Sequence, residues 1–406
     1  MRLGVEAALV DGELLPGDVE VLDGRINAVG LSGSSGGGIA APGFVDLQVN
    51  GYAGVDFSVA GEGEWRMARE ALLRDGVTAF QPTFVTAPLD EMRESLARMP
   101  AADRPMGGGN PDASAAARPA AGGDQANPPA ARSATYRNAV RSPDEPGARI
   151  IGAHLEGPFL SPLRPGAHDP TALAAPDLAA LDALLAAGPV SQVTLAPELP
   201  GALDLIDAMV ARGANVSCGH TEAAAATAHL AFDRGATAVT HLFNAMRRPE
   251  ARDPGIAFAA LGREDIFVTL IADGHHVADD TVRAAWRAAG ERLVLISDAV
   301  AAAAAPDGDY TLGGAVPVHS RGGVVRDEAG SLAGSTLSMP AAIRNSHALG
   351  IPLAAALTAA TEAPARMARR PDLGHLAPGA RADLVVLDDT LTITRVLLEG
   401  VDQLPC

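Results

Sequence analysis

Three side chains of metal-ligand type stand at the polar ends of separate apolar runs. They are Glu156 in Gly152-Ala153-His154-Leu155-Glu156-Gly157-Pro158, His220 in Cys218-Gly219-His220-Thr221, and His241 in Thr240-His241-Leu242-Phe243-Asn244. One carboxylate and two imidazoles can make a three-ligand N/O site that leaves a coordination position open for water. Around a dication this donor set keeps about one net positive charge, which favours ionising that water. Asp298, in Ile296-Ser297-Asp298-Ala299, ends another run with no basic neighbour, where it can take a proton from the water and return it to a leaving group. The pair His275-His276 offers one histidine to polarise a substrate carbonyl, since adjacent side chains cannot both point inward. A single strand-end Glu or His is usually a hydrogen-bonded structural residue; the pattern becomes chemical because several such residues end different runs.

The first run, Pro42-Gly43-Phe44-Val45-Asp46-Leu47, continues as Gln48-Val49-Asn50, and neutral amides are poor ligands for a divalent cation. The chain contains no lysine, which removes a bridging lysine carbamate along with Schiff-base and phosphate-loop chemistry. Both absences predict one divalent cation, with Zn the first expectation and Fe, Mn or Co also suited to the ligand set. An anionic substrate group would have to be met by arginine, and Arg247, Arg248 and Arg252 follow Asn244-Ala245-Met246. His229, His319, His347 and His375 stand in helical, turn or terminal contexts and read as structural.

Eight apolar or β-branched runs end in these polar residues and alternate with alanine-rich helical stretches: 44–50, 77–85, 149–157, 192–198, 215–220, 238–244, 267–274 and 293–300. Eight strand–helix units predict a (β/α)8 barrel, and polar residues at the C-terminal ends of many strands favour it over an open sheet. Residues 1–41 and 375–406 instead contain short strands with glycine turns, such as Asp11-Gly12 and Asp23-Gly24. Each end is too small to bury a core alone, so together they predict one small β-sandwich domain, with 42–374 as the barrel. The stretch 101–148, rich in Ala, Gly, Pro, Asn and Ser, predicts a disordered insertion on a connection at the face away from the chemistry.

Composition narrows the partners. In 406 residues, 31 basic against 49 acidic side chains leave a formal charge of −18, which disfavours a nucleic-acid surface. With 48% hydrophobic and 20% charged residues the chain can bury a large core. Two cysteines, Cys218 and Cys406, make no disulfide framework, and no signal-peptide pattern or apolar run approaching membrane length occurs. The reading is a soluble cytoplasmic protein with no nucleic-acid or membrane partner.

Taken in order, the blocks above, together with Leu332-Ala333-Gly334-Ser335-Thr336-Leu337 and Pro364-Ala365-Arg366, resemble the N-acetylglucosamine-6-phosphate deacetylases of the amidohydrolase superfamily. The resemblance runs from about Pro42 to Gly400, apart from the insertion. It implies that Glu156, His220 and His241 are metal ligands and Asp298 the general base and acid. It further implies that His276 contacts the acetyl carbonyl of the substrate. Asn244, Ala245 and Arg252 match phosphate-binding positions, the arginine reaching in from the neighbouring subunit of a homodimer. Ala167, His168, Leu332, Ala333 and Gly334 match further contacts to the sugar phosphate. The Gln48-x-Asn50 pattern looks like the single-metal branch. The implied reaction is hydrolysis of the acetamide of N-acetylglucosamine 6-phosphate to glucosamine 6-phosphate and acetate. Two alternatives stay open: an amidohydrolase for another cyclic amide or N-acyl compound, and a barrel that has lost catalysis and serves as a scaffold.

Overall fold

The computed structural model describes residues 1–33, 36–103 and 147–404. The insertion expected at 101–148 therefore lies outside the described residues except for its edges, 101–103 and 147–148. Asp103 and Ala148 sit beside the start of the third barrel strand, where Asp103 N–H donates to Ile150 O (2.7 Å) and Ala148 N–H to Arg69 O (2.9 Å).

The central sheet is parallel. Its nine hydrogen-bonded pieces make eight barrel strands, because Arg149–Ile150 and Ala153–Glu156 are two halves of one strand. The others are Phe44–Val49, Val77–Val85, Val190–Leu195, Asn215–Cys218, Ala238–Val239, Phe267–Leu270 and Leu293–Leu295. Closure comes from the segment after the last strand, which bridges Ala299 to Val49 and donates Asp298 N–H to Gln48 O at 3.0 Å. The third strand is split by a bulge: its register against the second moves from Ile150↔Phe80 to His154↔Thr83, one extra residue on the third-strand side. Strands buried on both faces are mostly apolar, and Phe44–Val49 and Val77–Val85 are buried throughout, with the polar side chains of Asp46, Gln48 and Gln81 hydrogen-bonded.

Helices cover the barrel with one apolar stripe each. In Asp279–Ala289 the buried residues are Val282, Ala285, Trp286 and Ala289, at helical spacing, while Asp279 and Asp280 occupy the first turn where the helix dipole favours acids.

Both ends of the chain enter one further sheet, ordered Glu13–Pro16, Ala7–Val10, Ile39–Pro42, Leu384–Leu387, Ile393–Leu398, Val401–Asp402. Alternation along its strands serves two cores. Leu9, Ala41, Val385, Leu387, Val396 and Leu398 face the barrel, whereas Ala8, Ala40, Leu384, Val386 and Leu397 face a hairpin of Asp18–Leu22 and Arg25–Leu31. Buried ion pairs reinforce the seam: Arg370 with Asp103 (2.9 Å) and Asp372 (2.7 Å), and Arg381 with Asp372 (3.1 Å).

One element had no counterpart in the reading of the sequence. A three-stranded antiparallel sheet, Gly308–Leu312, Val316–Arg321 and Val324–Asp327, rises from the loop after the last barrel strand. The alternation in Asp309-Tyr310-Thr311-Leu312 and the Gly313-Gly314 and Gly322-Gly323 turns were its available signal.

Candidate active site

The strand ends are where regular structure stops and side chains are aimed. The expected runs 238–244 and 293–300 are strands only over Ala238–Val239 and Leu293–Leu295. Beyond them the backbone turns: His220 (φ 47°), His241 (φ 34°) and Asp298 (φ 50°) all adopt the left-handed region. For non-glycine residues that conformation costs about 1–3 kcal/mol and persists only where the surroundings over-determine it. Here they do: His241 N–H donates to Thr269 Oγ1 (2.7 Å), Asp298 N–H to Gln48 O (3.0 Å), and His220 O accepts from Ser161 N–H (2.9 Å). Gly334 (φ 69°) passes so close to Asp298 that a Cβ there would lie 2.9 Å from its carbonyl oxygen and 2.4 Å from Val300 Cγ1.

Glu156, His220 and His241 converge. His241 Nε2 is 2.9 Å from Glu156 Oε1 and 3.1 Å from His220 Nε2, and His220 Nε2 is 3.3 Å from Glu156 Oε1. All three are buried, and their ligand atoms lie within 4.8 Å of one another, a grouping that can hold a metal ion. The tautomer fits a cation. His220 Nδ1–H donates to Arg164 O at 2.9 Å, which turns the Nε2 lone pair to the shared centre. Burial alone would raise the Glu156 carboxyl; in metal-free protein His220 and His241, in their protonated forms, outweigh it by hydrogen bond and charge and hold the group well below the usual carboxylate range.

Among the described residues Asp298 forms no ion pair within contact distance, yet it is not bare. Gln48 Nε2 (3.0 Å) and Asn50 Nδ2 (2.9 Å) both donate to its Oδ1, and Gln48 Nε2 also reaches Glu156 Oε1 at 3.1 Å. The two amides that stand where ligands might have been are therefore donors to the carboxylates. Burial, then the Glu156 charge, push Asp298 up to about 6 against the pull of His241, His276 and the Asn50 hydrogen bond. With Oδ1 taken by two donors, Oδ2 is the oxygen left for a water.

Of the histidine pair, His276 lines the cavity while His275 is exposed. The sequence motif contained its anchor, Asp273, without marking it: Asp273 Oδ2 binds His276 Nδ1 at 2.7 Å, and Oδ1 accepts the backbone N–H groups of His275 (2.8 Å) and His276 (2.9 Å). Burial raises the Asp273 carboxyl, and these bonds with the His276 charge more than reverse it, leaving it below its ordinary value. His276 Nε2 is thereby the atom presented to substrate.

An open cavity of about 200 Å³ lies over this centre, lined by Glu156, His220, His241, Asp298 and His276, by Asn50, and by Ala167, His168, Asn244, Ala245, Leu332 and Gly334. His168 is buried, accepts Thr86 N–H at Nδ1 (3.2 Å), and so carries its ring proton on Nε2, 3.8 Å from Glu156 Oε2. The side chain of Ala333 packs instead into the small core beneath the three-stranded sheet. Arg252 is exposed and is not among the cavity-lining residues. Arg247 pairs with Asp253 and, at 3.8 Å, with Glu222. His229, His319, His347 and His375 are likewise absent from the cavity wall.

Residues 39–401 match the model of the amidohydrolase family. The chain belongs to that family. Among similar proteins, an N-acetylgalactosamine-6-phosphate deacetylase from Escherichia coli O157:H7 is 37% identical over 369 residues, covering 89% of this chain and 87% of that protein. An N-acetylglucosamine-6-phosphate deacetylase from Mus musculus is 37% identical over 383 residues, covering 90% of this chain and 83% of the mouse protein. The solved structure of a mutant N-acetyl-D-glucosamine-6-phosphate deacetylase from Mycobacterium smegmatis, in complex with N-acetyl-D-glucosamine-6-phosphate, has a TM-score of 0.85 and 34% identity, covering 100% of this chain and 99% of that one. As a family member, this amidohydrolase has its His/Glu cluster in the position for a divalent cation. Among its described residues no helix is long and apolar enough to cross a membrane.

Proposed function

We propose that this amidohydrolase removes the acetyl group of N-acetylglucosamine 6-phosphate by hydrolysis, releasing glucosamine 6-phosphate and acetate. The observation that carries the reading is the convergence of Glu156, His220 and His241 beside Asp298, whose Oδ2 is left open. A divalent cation on the three ligands supplies Lewis-acid polarisation of the amide carbonyl and acidifies a water. We read the site as holding one such ion, Zn foremost, because Gln48 and Asn50 turn amide N–H donors to the Glu156 and Asp298 carboxylates and supply no anionic or imidazole ligand for a second.

The residues of the chain divide the remaining work. Asp298 Oδ2 takes a proton from the attacking water, as a carboxyl near 6 can do at neutral pH. His276, its Nδ1–H held by Asp273, donates from Nε2 to the amide oxygen when the ring is doubly protonated, as negative charge builds there. Asp298 then passes its proton to the departing amine. Asn244, Ala245 and His168 on the cavity wall meet the sugar phosphate. Arg252 is exposed and outside its own cavity wall, and in this reading it would serve the site of a partner in a homodimer.

The experiment is acetate release from the 6-phosphate sugar and from its unphosphorylated form, with and without a chelator. The reading expects turnover only of the phosphorylated sugar and its loss on chelation; equal turnover of both sugars removes the phosphate from the reading. The E. coli relative favours a second substrate, the 4-epimer N-acetylgalactosamine 6-phosphate, and the same assay ranks the two by kcat/KM.

A further inference from the structure

The cavity has one apolar corner that none of the roles above uses. Val85 and Leu312 line it, from the second barrel strand and from the three-stranded sheet. Val85 stands in register with Glu156, so it borders the reacting centre directly. Leu312 is 5% exposed and packs with Val85, Val300, Val318, Val325 and Ala333. The turn that follows it is pressed onto the barrel. Gly313 adopts φ 65°, and a Cβ there would lie 2.5 Å from Val85 Cγ2. Asp56 holds that turn in place: its buried Oδ2 accepts Gly314 N–H (2.8 Å) and the Thr311 hydroxyl (3.3 Å). Leu312 is thus positioned by a turn with no slack, and not by a mobile tip.

The order of strands says which part of a substrate meets this corner. Asn244 and Ala245, which the reading above gives to the sugar phosphate, follow the sixth strand and line the cavity, so the anionic end of a substrate belongs on that side. The second strand is four places round the eight-strand circle, directly opposite. In an N-acyl amino sugar the carbonyl carbon lies between the sugar nitrogen and the acyl tail. With the phosphate at the sixth strand and the carbonyl at the centre, the tail points to the second.

We propose that Leu312, seated against Val85, is a specificity-determining residue whose side chain closes the acyl corner and restricts the amidohydrolase to acetyl over longer acyl groups. The proposal rests on the deacetylase reading given above.

The test compares N-acetyl-, N-propionyl- and N-butyryl-glucosamine 6-phosphate, with release of free amine as the readout, in the parent protein, Leu312→Ala, Leu312→Val and Val85→Ala. In the parent each added methylene lowers kcat/KM by about tenfold or more, the usual discrimination of a filled apolar pocket. Leu312→Ala raises the propionyl-to-acetyl ratio by at least about tenfold. Leu312→Val and Val85→Ala, which disturb the sheet less, raise it by smaller factors. Thermal melts confirm that each variant folds, and the two milder variants decide the matter if Leu312→Ala does not. Unchanged ratios with uniformly lowered kcat/KM would mean that Leu312 touches the sugar, and would overturn the proposal while leaving the deacetylase reading intact. Absence of N-acetyl turnover in the parent would instead fell both.

Discussion

Asn50→Leu separates the role of the two amides from that of the metal ligands. The substitution keeps size and shape, removes the donor 2.9 Å from Asp298 Oδ1, and also removes a buried Oδ1 that has no partner among the described residues. A hydrogen bond to a charged group contributes about 1.5–3 kcal/mol, and one pKa unit is about 1.4 kcal/mol. Loss of this bond should therefore raise the Asp298 carboxyl by roughly one to two units from its value of about 6. A cation on the neighbouring ligands favours the carboxylate and lowers that value in parent and variant alike, so the difference survives even though the absolute position moves. Asp298 acts as base only when ionised, so the acidic limb of the kcat/KM profile should move to higher pH by the same one to two units. The assay is acetate release from about pH 4 to 9 at constant ionic strength, read by the position of the limb and not by the height of the plateau. A limb that moves by less than about half a unit, or moves to lower pH, refutes the argument that Asn50 tunes the base.

Three further outcomes follow from the same geometry. Asp298→Asn should lower kcat by about 10²–10⁴-fold with the bound metal unchanged, whereas Glu156→Gln should lose the metal; elemental analysis beside the rate tells the two apart. Asp273→Asn should lower kcat more than it raises KM, since it frees a His276 ring held at 2.7 Å for an interaction that strengthens in the transition state; a pure KM effect would remove Asp273 as the orienting group. Asp46 is buried, and this burial with the Asp298 charge pushes its carboxyl up to about 7 despite hydrogen bonds from Ser297 and Gln48. Between about pH 3.9 and that value the unfolded chain has released the proton and the folded chain keeps it, so stability falls as pH rises, by about 1.4 kcal/mol per unit at most. In metal-free protein, Asp46→Asn should therefore gain on the parent from pH 4.5 to 7.5 in denaturant titrations, and a gap independent of pH would contradict it.

The residues of the site were largely legible because barrel chemistry has a linear signature: apolar runs of strand length, each ending in a polar group. Glu156, His220, His241 and Asp298 could be picked out without knowing where any of them lay in space. Asp273 was harder to recognise, because its task is defined by the ring it holds three residues later and not by its type. Gln48 and Asn50 were readable as poor ligands but not as donors, since a hydrogen bond between residues 250 and 248 positions apart exists only after closure of the barrel. The three-stranded sheet was missed for the opposite reason: its local alternation was present, but the helix-rich pattern around it drew the attention of any periodicity argument.

What the linear chain determined alone was the chemistry it could perform: no lysine, a small set of carboxylates and imidazoles, and eight runs able to bury themselves as parallel strands. Strand patterning depends on neighbours along the backbone, so it is written in order. Which atoms face one another depends on how strands far apart in order are bent and joined. Only the folded barrel could turn His220, His241 and Asp298 into left-handed conformations that aim them at one point, because the hydrogen bonds that pin that backbone come from distant strands and loops.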